Sequence, residues 1–390
     1  MTQLKFTLNL EEMENAILQS DLTGVVKSSI ILLLNEYMEH ERDRYIQADS
    51  YERNEERKAY RNGYYERDYL ISLGKITLKV PRTRDGQFTP SIFERYQRMD
   101  QAFILSMMEM VINGVSTRKV TQVVEQLAGE SVSASLVSKL MKKLDPIVNE
   151  WANRPLETLQ YTHLYVDAMY IKVREKRRVV SKGVYIAMAL SELGSFEVLG
   201  FTIQEVESYQ AWSRFLQSLK ARGLNQPDLI ISDAHEGLKK AIKEVFLGTS
   251  WQRCTVHFKR NIFSSLPKKD SAPFKRKVRE VFDQPTEKEA REKLQEVTDL
   301  YHANMRYEKA LNVLEEGFED AIQLLNSPEN LHRFIKSTNH LERLNQEVRR
   351  RERVIRIFPN HQSAFRLIGA VLMQVDEGER KKRRSVKPRK

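Results

Sequence analysis

The stretch HLYVDAMYIKV, residues 163–173, decides the fold class of this chain. Its apolar residues predict a strand over Thr162–Arg174. One carboxylate, Asp167, stands in the middle of that strand. An acidic side chain inside an apolar strand costs free energy unless it is paired or binds a metal ion. Asp167 is therefore the first candidate functional residue.

Mixed α/β elements follow this strand in a characteristic order. The predicted elements are strands Val179–Leu190 and Phe196–Val206, helix Tyr209–Arg222, strand Leu229–Ser232, helix Glu236–Phe246, strand Trp251–Thr255 and helix Val256–Ser265. Three consecutive strands favour an antiparallel meander, and strands that alternate with helices favour parallel additions. This is the order of the ribonuclease-H-like fold, so we predict an α/β fold with a ribonuclease-H-like core.

Asp233 is the second candidate, because it ends the buried-looking strand of DLIISDAHEG, residues 228–237. An aspartate at a strand end often caps the next helix, here the one that begins near Glu236, so Asp233 by itself has an ordinary alternative. In a ribonuclease-H-like sheet, however, the first and fourth strands are neighbours. The carboxylates of Asp167 and Asp233 are then expected to converge.

A third carboxylate is expected from a helix packed beside those strands, and Glu342 in TNHLERLNQEVRRRER, residues 338–353, is the candidate. Thr338 is expected to cap this helix, and Glu342 and Asn345 share one helix face. An apolar stripe would dock the helix on the sheet: Leu341 and Leu344. The rival acids of the helix are predicted to form surface ion pairs: Glu347 and Glu352.

Three carboxylates of this kind bind hard cations through oxygen. On a phosphodiester they suit two-metal catalysis, in which two ions about 3.5–4 Å apart activate the attacking oxygen and stabilise the leaving oxygen. We therefore predict two bound ions, Mg²⁺ or Mn²⁺. The chain contains no Walker motif, so nucleotide hydrolysis is not indicated.

Cys254 and His257 form a C-x-x-H pair within WQRCTVHFKRN, residues 251–261. A structural zinc site needs about four ligands, and the chain has no other cysteine. Nothing indicates an acyl substrate for a cysteine nucleophile. The favoured interpretation is a positioning role, with His257 near the scissile phosphate and Cys254 packed beneath it. Two core residues without a functional role remain the alternative.

Composition points to a polyanionic partner. The 390 residues include 64 Lys and Arg against 53 Asp and Glu, a net charge of +11, and such an excess favours nucleic acid. The one cysteine excludes an internal disulfide and zinc fingers built on cysteine pairs. No apolar run reaches the roughly 18 residues of a membrane span, and no secretory signal is present. We expect a cytoplasmic protein without membrane contact.

The N-terminal part is predicted to be mainly helical and to bind DNA. Residues 1–48 form a helical segment that suits dimerisation, and residues 49–100 form a basic hairpin region with Arg82 and Arg84 in a turn. Residues 101–150 have the helix, Gly-containing turn, helix pattern of a helix-turn-helix, with Ala134–Leu144 as recognition helix. The expected helix caps are Ser116 and Thr117 for the second helix and Ser133 for the third. An ordinary helical hairpin is the alternative. The candidate DNA contacts here are Arg118, Lys119, Ser135, Ser138, Lys139, Lys142 and Lys143.

The remaining boundaries divide the catalytic half of the chain. The catalytic domain is predicted over 155–266 and 336–373, with a charged helical insertion at 267–335 and a basic tail at 374–390. The last eleven residues contain eight basic and no acidic residues, which favours a disordered arm on DNA phosphates over a merely solubilising tail. Arginines after the third carboxylate are expected to face DNA: Arg343, Arg349, Arg350, Arg351 and Arg353.

Several long motifs together resemble the bacterial insertion-sequence transposases of the Mutator-like DDE superfamily. They are VDAMYIKVRE (166–175), SDAHEGLKKAI (232–242), WQRCTVHFKRN (251–261), TNHLERLNQEVRRRERVIRIFPN (338–360) and the hairpin segment RNGYYERDYLISLGKITLKVPRTRDG (61–86). The resemblance runs through nearly the whole length. It implies that Asp167, Asp233 and Glu342 are the metal-binding triad, and that Cys254 and His257 are the family's signature near the active site.

The resemblance also implies the rest of the expected activity. Relatives act as dimers or higher assemblies on terminal inverted repeats, often through a circular intermediate, and carry a helical insertion before the glutamate. The expected protein is a bacterial, nucleoid-associated homodimeric DNA transposase that cleaves element ends and joins them to target DNA. One departure is visible, because relatives commonly carry glycine where Arg356 stands.

Two rival functions remain open. The first is a non-enzymatic DNA-binding protein derived from a transposase, against which the intact carboxylates argue. The second is a structure-selective nuclease on the same fold. Metal-dependent nicking would separate the first rival from a transposase, and strand joining would separate the second.

Overall fold

The computed structural model describes residues 22–48, 52, 55–93, 99–267 and 271–381. The chain divides into two compact units, Met1–Met141 and Lys142–Lys390. Within the described residues, no helix is both long enough and apolar enough to cross a membrane. The finer domain boundaries inferred from sequence stay predictions, and residues 1–21 of the predicted N-terminal helical segment lie outside the described residues.

In the first unit a long helix packs on a β-hairpin. Helix α1 (Leu22–Ile46) contributes Met38 to a cluster with the inward residues of strands β1 (Arg61–Ile71) and β2 (Gly74–Thr83). Alternation holds along β2 as far as Val80, because Ile76, Leu78 and Val80 are buried while the residues between them are exposed. The hairpin lies within the predicted hairpin region at 49–100, and Arg82 lies in β2 rather than in a turn.

Three short helices complete this unit: α2 (Gln101–Ile112), α3 (Thr117–Ala128) and α4 (Ala134–Met141). The predicted caps of the last two are confirmed, because Ser116 Oγ accepts the N–H of Lys119 at 3.3 Å and Ser133 Oγ accepts that of Leu136 at 3.1 Å. The predicted recognition helix was too long, since α4 ends at Met141. Lys142 and Lys143 follow as a turn that belongs to the second unit.

The second unit begins with helix α5 (Leu144–Ala152) and is built on a mixed sheet. Its strands are β3 (Tyr161–Glu175), β4 (Arg178–Ser191), β5 (Phe196–Gln204), β6 (Leu229–Ser232) and β7 (Ser250–Arg253), in the order β5-β4-β3-β6-β7. The first three are antiparallel, and β6 and β7 run parallel to β3. The first and fourth strands of this sheet are therefore neighbours, as expected.

Helices cover both faces of the sheet, which explains why its strands are almost continuously apolar. On one face, α6 (Tyr209–Ala221) and α7 (Glu236–Val245) pack on even-numbered β3 residues such as Leu164 and Val166. Trp212 stacks on Tyr185 there, with ring centroids 4.1 Å apart. Odd-numbered β3 residues point to the opposite face, where the hydroxyl of Tyr165 donates to the Phe334 carbonyl.

Helices α8 (Thr255–Ser264), α9 (Ala272–Val281), α10 (Glu287–Tyr301) and α11 (Glu308–Ala321) enclose a separate apolar cluster around Phe258, Phe274 and Phe318. Gly317 permits the close approach of α11. A Cβ at this position would lie 2.2 Å from the Arg253 guanidinium and 2.6 Å from the Phe258 ring. After the 3₁₀ turn Gln323–Asn326 and helix α12 (Glu329–Ile335), the chain returns to the sheet.

Helix α13 (Asn339–Ile355) ends in a strained turn at Arg356, and helix α14 (His361–Lys381) follows. Arg356 has φ 62° and ψ −48°, and the N–H of Ile357 bonds the carbonyl of Ile355 at 2.7 Å, which defines a γ-turn. The turn delivers Phe358 to β3, where it exchanges backbone hydrogen bonds with Lys172 and Arg174.

Helix α14 extends beyond the predicted end of the catalytic domain at residue 373 and includes part of the expected basic tail. Arg380 bonds Glu197 at 3.0 Å and Asp376 at 3.1 Å, so the start of the tail is held against the sheet rather than free. Asp376 also accepts the N–H of Val198 at 2.8 Å, which satisfies an edge-strand donor. Residues 382–390 lie outside the described residues.

We expect Arg356→Gly to stabilise the protein by about 1 kcal/mol, because glycine adopts a positive φ without the steric cost of a side chain. Thermal unfolding would show a melting temperature raised by roughly 2–4 °C. Arg353→Gly, inside α13, is the matched control and should destabilise by about 1 kcal/mol. A lower stability for Arg356→Gly would contradict the assignment of strain to this turn.

Candidate active site

Strand register places Asp167 and Asp233 side by side. Tyr165 of β3 pairs with Ile231 of the parallel β6, Asp167 follows two residues later within β3, and Asp233 is the first residue after β6 ends at Ser232. Neighbouring strands lie about 4.8 Å apart, and residues two apart on a strand share a face. The carboxylate of Asp233, at the end of β6, therefore lies beside that of Asp167, on the face to which the odd-numbered residues of β3 point.

Asp233 does not cap the following helix. His235 occupies the N-cap of α7, and its Nδ1 accepts the N–H of Leu238 at 3.3 Å. Helix capping, the alternative role for Asp233, is thus performed by His235. Burial, followed by the charge of Glu207, raises the pKa of the Asp233 carboxyl, against the opposing influence of His257.

Asp167 is buried, with 8% of its surface exposed. Its Oδ2 accepts the side-chain amide of Asn345 at 2.8 Å, and its Oδ1 accepts the N–H of Ala168 at 2.9 Å. Burial, then the neighbouring Asp233 and more weakly Glu342, raise its pKa to about 7. Asp167 is thus a carboxylate whose ionised form the protein fold disfavours.

Glu342 lies in the first turn of α13, which docks on the sheet through the buried side chains of Leu341 and Leu344. Its Oε1 is 3.1 Å from Nε2 of His257 in the first turn of α8. The Cys254 side chain raises the pKa of His257, burial opposes this, and Asp167 and Glu342 raise it further, to about 9. Glu342 is accordingly drawn toward a cationic imidazole.

Cys254 links the strand that carries Asp233 to the helix that carries Glu342. Its N–H bonds the carbonyl of Ser232 at 2.7 Å, and its fully buried Sγ accepts both the N–H and the hydroxyl of Thr338 at 3.4 Å. Thr338 stands at the N-cap of α13, but its hydroxyl makes no cap bond. The expected capping role of Thr338 was therefore wrong, because its hydroxyl is committed to Cys254.

The ligand atoms available at this site are of the type that hard divalent cations bind. Carboxylate oxygens are the ligands such ions prefer. Glu342 Oε1 is a buried oxygen whose contact with His257 is an ion pair, and it accepts no hydrogen bond from any residue in the described ranges. In those same ranges, no three His, Cys, Asp or Glu side chains are grouped so as to hold a metal ion as they stand. Asp167 and Asp233 supply the adjacent pair, while Glu342 is engaged with His257.

The predicted DNA contacts of the first unit are on its surface. Arg82 lies over the Tyr65 ring at 4.5 Å and Arg84 over Tyr60 at 6.0 Å, both exposed. The exposed residues of the helical part are Arg118 and Lys119 on α3 and Ser135, Ser138 and Lys139 on α4. Ser135 Oγ is within 2.9 Å of Ser133 Oγ, so its hydroxyl is part of the α4 cap. Lys142 is exposed in the turn after α4.

The arginines of α13 divide into two sets. The exposed ones are Arg343, Arg349, Arg350 and Arg353. Arg351 differs, because it is 4% exposed and its guanidinium bonds the side chain and carbonyl of Glu347. Arg351 is therefore removed from the candidate DNA contacts. Glu347 also pairs with Arg350 at 3.1 Å, as the sequence predicted for this rival acid.

Residues missed as candidates surround the carboxylates. Asn345 contacts Asp167, and Glu207 lies near Asp233, held by Tyr170 at 2.7 Å and Trp212 at 3.1 Å. Asn345 had a signal in the sequence, since it shares a helix face with Glu342. Glu207 had none, because it stands in a loop between β5 and α6.

Comparison with known proteins establishes the class. The family model "Transposase, Mutator family" matches residues 1–381, so the chain belongs to the Mutator family of transposases. The transposase for insertion sequence element IS256 in transposon Tn4001 of Staphylococcus aureus is 50% identical over 377 residues, 97% of this chain and 96% of that protein. The ISRM5 transposase of Rhizobium meliloti is 39% identical, covering 93% and 90% of the two chains.

A solved structure also matches part of the chain. The catalytic core domain of HTLV-2 integrase, in complex with magnesium, covers 43% of this chain and 90% of its own, at 14% identity and a TM-score of 0.18. A score this low establishes no shared fold. The family assignment rests on the family model and the sequence relatives.

Proposed function

We propose that the chain is a DNA transposase that binds the terminal inverted repeats of an insertion sequence, cleaves the element ends and joins them to target DNA. The observation that carries the proposal is the register of β3 and β6, which aligns Asp167 with Asp233 on one sheet face beside the helix of Glu342. The strand order β5-β4-β3-β6-β7 supports a ribonuclease-H-like catalytic core. Membership of the Mutator family supports the reaction class.

Asp167, Asp233 and Glu342 are the residues that would hold two divalent ions, Mg²⁺ or Mn²⁺. Bound there, the ions would activate the attacking oxygen and stabilise the leaving oxygen of a phosphodiester. Asn345 and the N–H of Ala168 each hold one oxygen of Asp167, which fixes the orientation of this carboxylate. His257, whose Nε2 is 3.1 Å from Oε1 of Glu342, would lie near the scissile phosphate.

Several surfaces of the chain would engage DNA. The helix-turn-helix formed by α2, α3 and α4 presents Ser138 and Lys139 for sequence recognition, and the hairpin presents Arg82 and Arg84 to phosphates. The exposed arginines of α13 extend from the carboxylate site. A homodimer on two inverted repeats is the assembly we propose, in the bacterial cytoplasm on the nucleoid.

A cleavage and strand-transfer assay tests this function. Duplexes carrying the element ends would be incubated with Mg²⁺, Mn²⁺ or EDTA. We expect metal-dependent release of a 3′ end, followed by joining to a second DNA. Specific binding without metal-dependent chemistry would favour the non-enzymatic DNA-binding rival, and cleavage without joining would favour a nuclease.

Cys254→Ala is expected to slow cleavage roughly 10- to 100-fold while DNA-end binding stays unchanged, because the start of α13 loses its acceptor and Glu342 shifts. The half-saturating Mg²⁺ concentration should rise, which a merely structural defect would not cause. Thr338→Val removes the hydroxyl donor and should act alike, while Thr338→Ser should restore the wild-type values. Unchanged metal dependence in Cys254→Ala and Thr338→Val would refute the positioning role.

A further inference from the structure

Helix α9 has two charged sides with different surroundings. On one side, Lys277 pairs with Glu296 at 2.7 Å and with Glu280 at 3.5 Å. Lys293 of α10 pairs with the same two glutamates, at 2.6 Å and 3.3 Å. The cations on this side are neutralised within the protein.

The side of α9 that faces α8 carries cations without such partners. Lys275 and Arg279, one helical turn apart, lie over the ring of Phe263 at 5.8 Å and 5.7 Å. Lys259 lies one turn before Phe263 on α8 and is half-buried. Within the described ranges of the chain, Lys259, Lys275 and Arg279 form no ion pair shorter than 4 Å.

Lys336 completes this surface at the end of α12. Its Nζ is 3.8 Å from Asp283, a carboxylate that also acts on Lys259. Burial, opposed by Asp283, and the charges of Lys336 and Arg279 lower the pKa of Lys259. We call Lys259, Lys275, Arg279 and Lys336 the α8–α9 patch. Like charges that lie close together repel one another, and a bound polyanion would remove this repulsion.

The patch lies beside the carboxylate site. Lys336 O accepts the N–H and the hydroxyl of Thr255 at 3.0 Å and 2.6 Å, which joins the start of α8 to the approach of α13. Lys259 lies one turn after Thr255 on α8 and therefore on the same side of this helix. His257, at 3.1 Å from Glu342, belongs to the first turn of α8 but points to a different side. The patch therefore lies at the end of α8 from which His257 reaches Glu342.

We propose that the α8–α9 patch binds backbone phosphates of the DNA strand next to the cleavage point. The proposal rests on the proposed function, because it takes DNA to be the substrate of the carboxylate site. The patch consists of three lysine ammonium groups on flexible side chains and one arginine guanidinium, which suits sequence-independent contact with phosphates rather than recognition of bases. On this proposal, the helical segment between β7 and α12 helps to hold the DNA strand.

Salt-dependent binding tests the patch. The probe is a duplex that carries the element end with its flanking sequence, and the full-length protein is titrated at several salt concentrations. The binding constant falls as salt rises, and each phosphate contact adds about 0.9 to the steepness of log K against log salt. The double variant Lys275→Ala/Arg279→Ala should therefore make this slope less steep by about 2 and weaken binding about tenfold near 0.1 M salt. Lys277→Ala, on the neutralised side of α9, is the matched control and should leave both values unchanged.

A crosslink locates the contact. Cys254 is the one cysteine and is buried, so Lys275→Cys offers a unique accessible thiol for a photoactivatable reagent. Crosslinks within a few nucleotides of the cut site support the proposal. A wild-type slope in the double variant, or crosslinks only far from the cut, would overturn it. If the wild type binds DNA but never cuts it, the proposed function fails. The salt dependence of binding still shows in that case whether the patch contacts phosphates.

Discussion

Asp167→Asn, Asp233→Asn and Glu342→Gln should each reduce DNA cleavage by at least about 10³-fold, a barrier increase of roughly 4 kcal/mol. Each substitution replaces an anionic ligand by a neutral amide of nearly the same shape, so the hard cations lose charge and affinity. Binding of the element ends should persist, because the proposed recognition surfaces lie elsewhere. Cleavage rates under single-turnover conditions, with binding measured in parallel, would check both expectations.

Glu347→Gln is the control for Glu342→Gln. Glu347 lies on the same helix, is partly exposed and pairs with Arg350 and Arg351 instead of facing the sheet carboxylates. Its replacement should leave cleavage within about threefold of wild type. Cleavage that survives all three triad substitutions, or that falls equally in the control, would remove the triad assignment.

The stability of Asp167→Asn should rise relative to wild type as the pH increases. Burial and Asp233 raise the pKa of Asp167 from 3.8 to about 7, so the folded protein keeps a proton that the unfolded chain releases. The stability contributed by this proton is complete below about pH 4 and is lost as the pH rises through 7. Because one pKa unit corresponds to about 1.36 kcal/mol, the variant should gain about 2–4 kcal/mol over wild type at pH 8.

Denaturant unfolding at pH 5, 6.5 and 8 measures this effect. Asp299→Asn, at an exposed position of α10, provides a control that should show no such trend. Adding Mg²⁺ at pH 8 should recover stability in wild type but not in Asp167→Asn, since a ligand that binds only the folded state stabilises it. A stability difference independent of pH would contradict the raised pKa.

Much of the catalytic unit could be predicted because its signals are local. An apolar run interrupted by Asp167, and another ending at Asp233, indicate buried strands with a carboxylate in place of an apolar residue. Helix caps at Ser116 and Ser133 followed from residue type and spacing, and both are present. The order of strands and helices was sufficient to predict that β3 and β6 are neighbours.

Long-range contacts escaped such prediction. Thr338 looked like a helix cap, yet it donates to Cys254, 84 residues earlier in the chain. Arg351 was predicted to be part of a basic surface. Its position on α13 instead directs its side chain into the protein, where it forms an ion pair with Glu347. Helix α14 continued into the expected tail because Glu197 and Asp376 neutralise Arg380.

The sequence by itself determined the strand and helix order, the three candidate carboxylates and the family resemblance. These follow from residue periodicity and from short motifs, in which each residue is read against its near neighbours. Only the tertiary structure decided that Asn345 bonds Asp167 across 178 residues, that Glu342 lies at His257, and that unpaired cations gather between α8 and α9. Such contacts depend on how the folded elements pack. The spacing of residues within a short motif does not determine the distance between side chains that are far apart in the sequence.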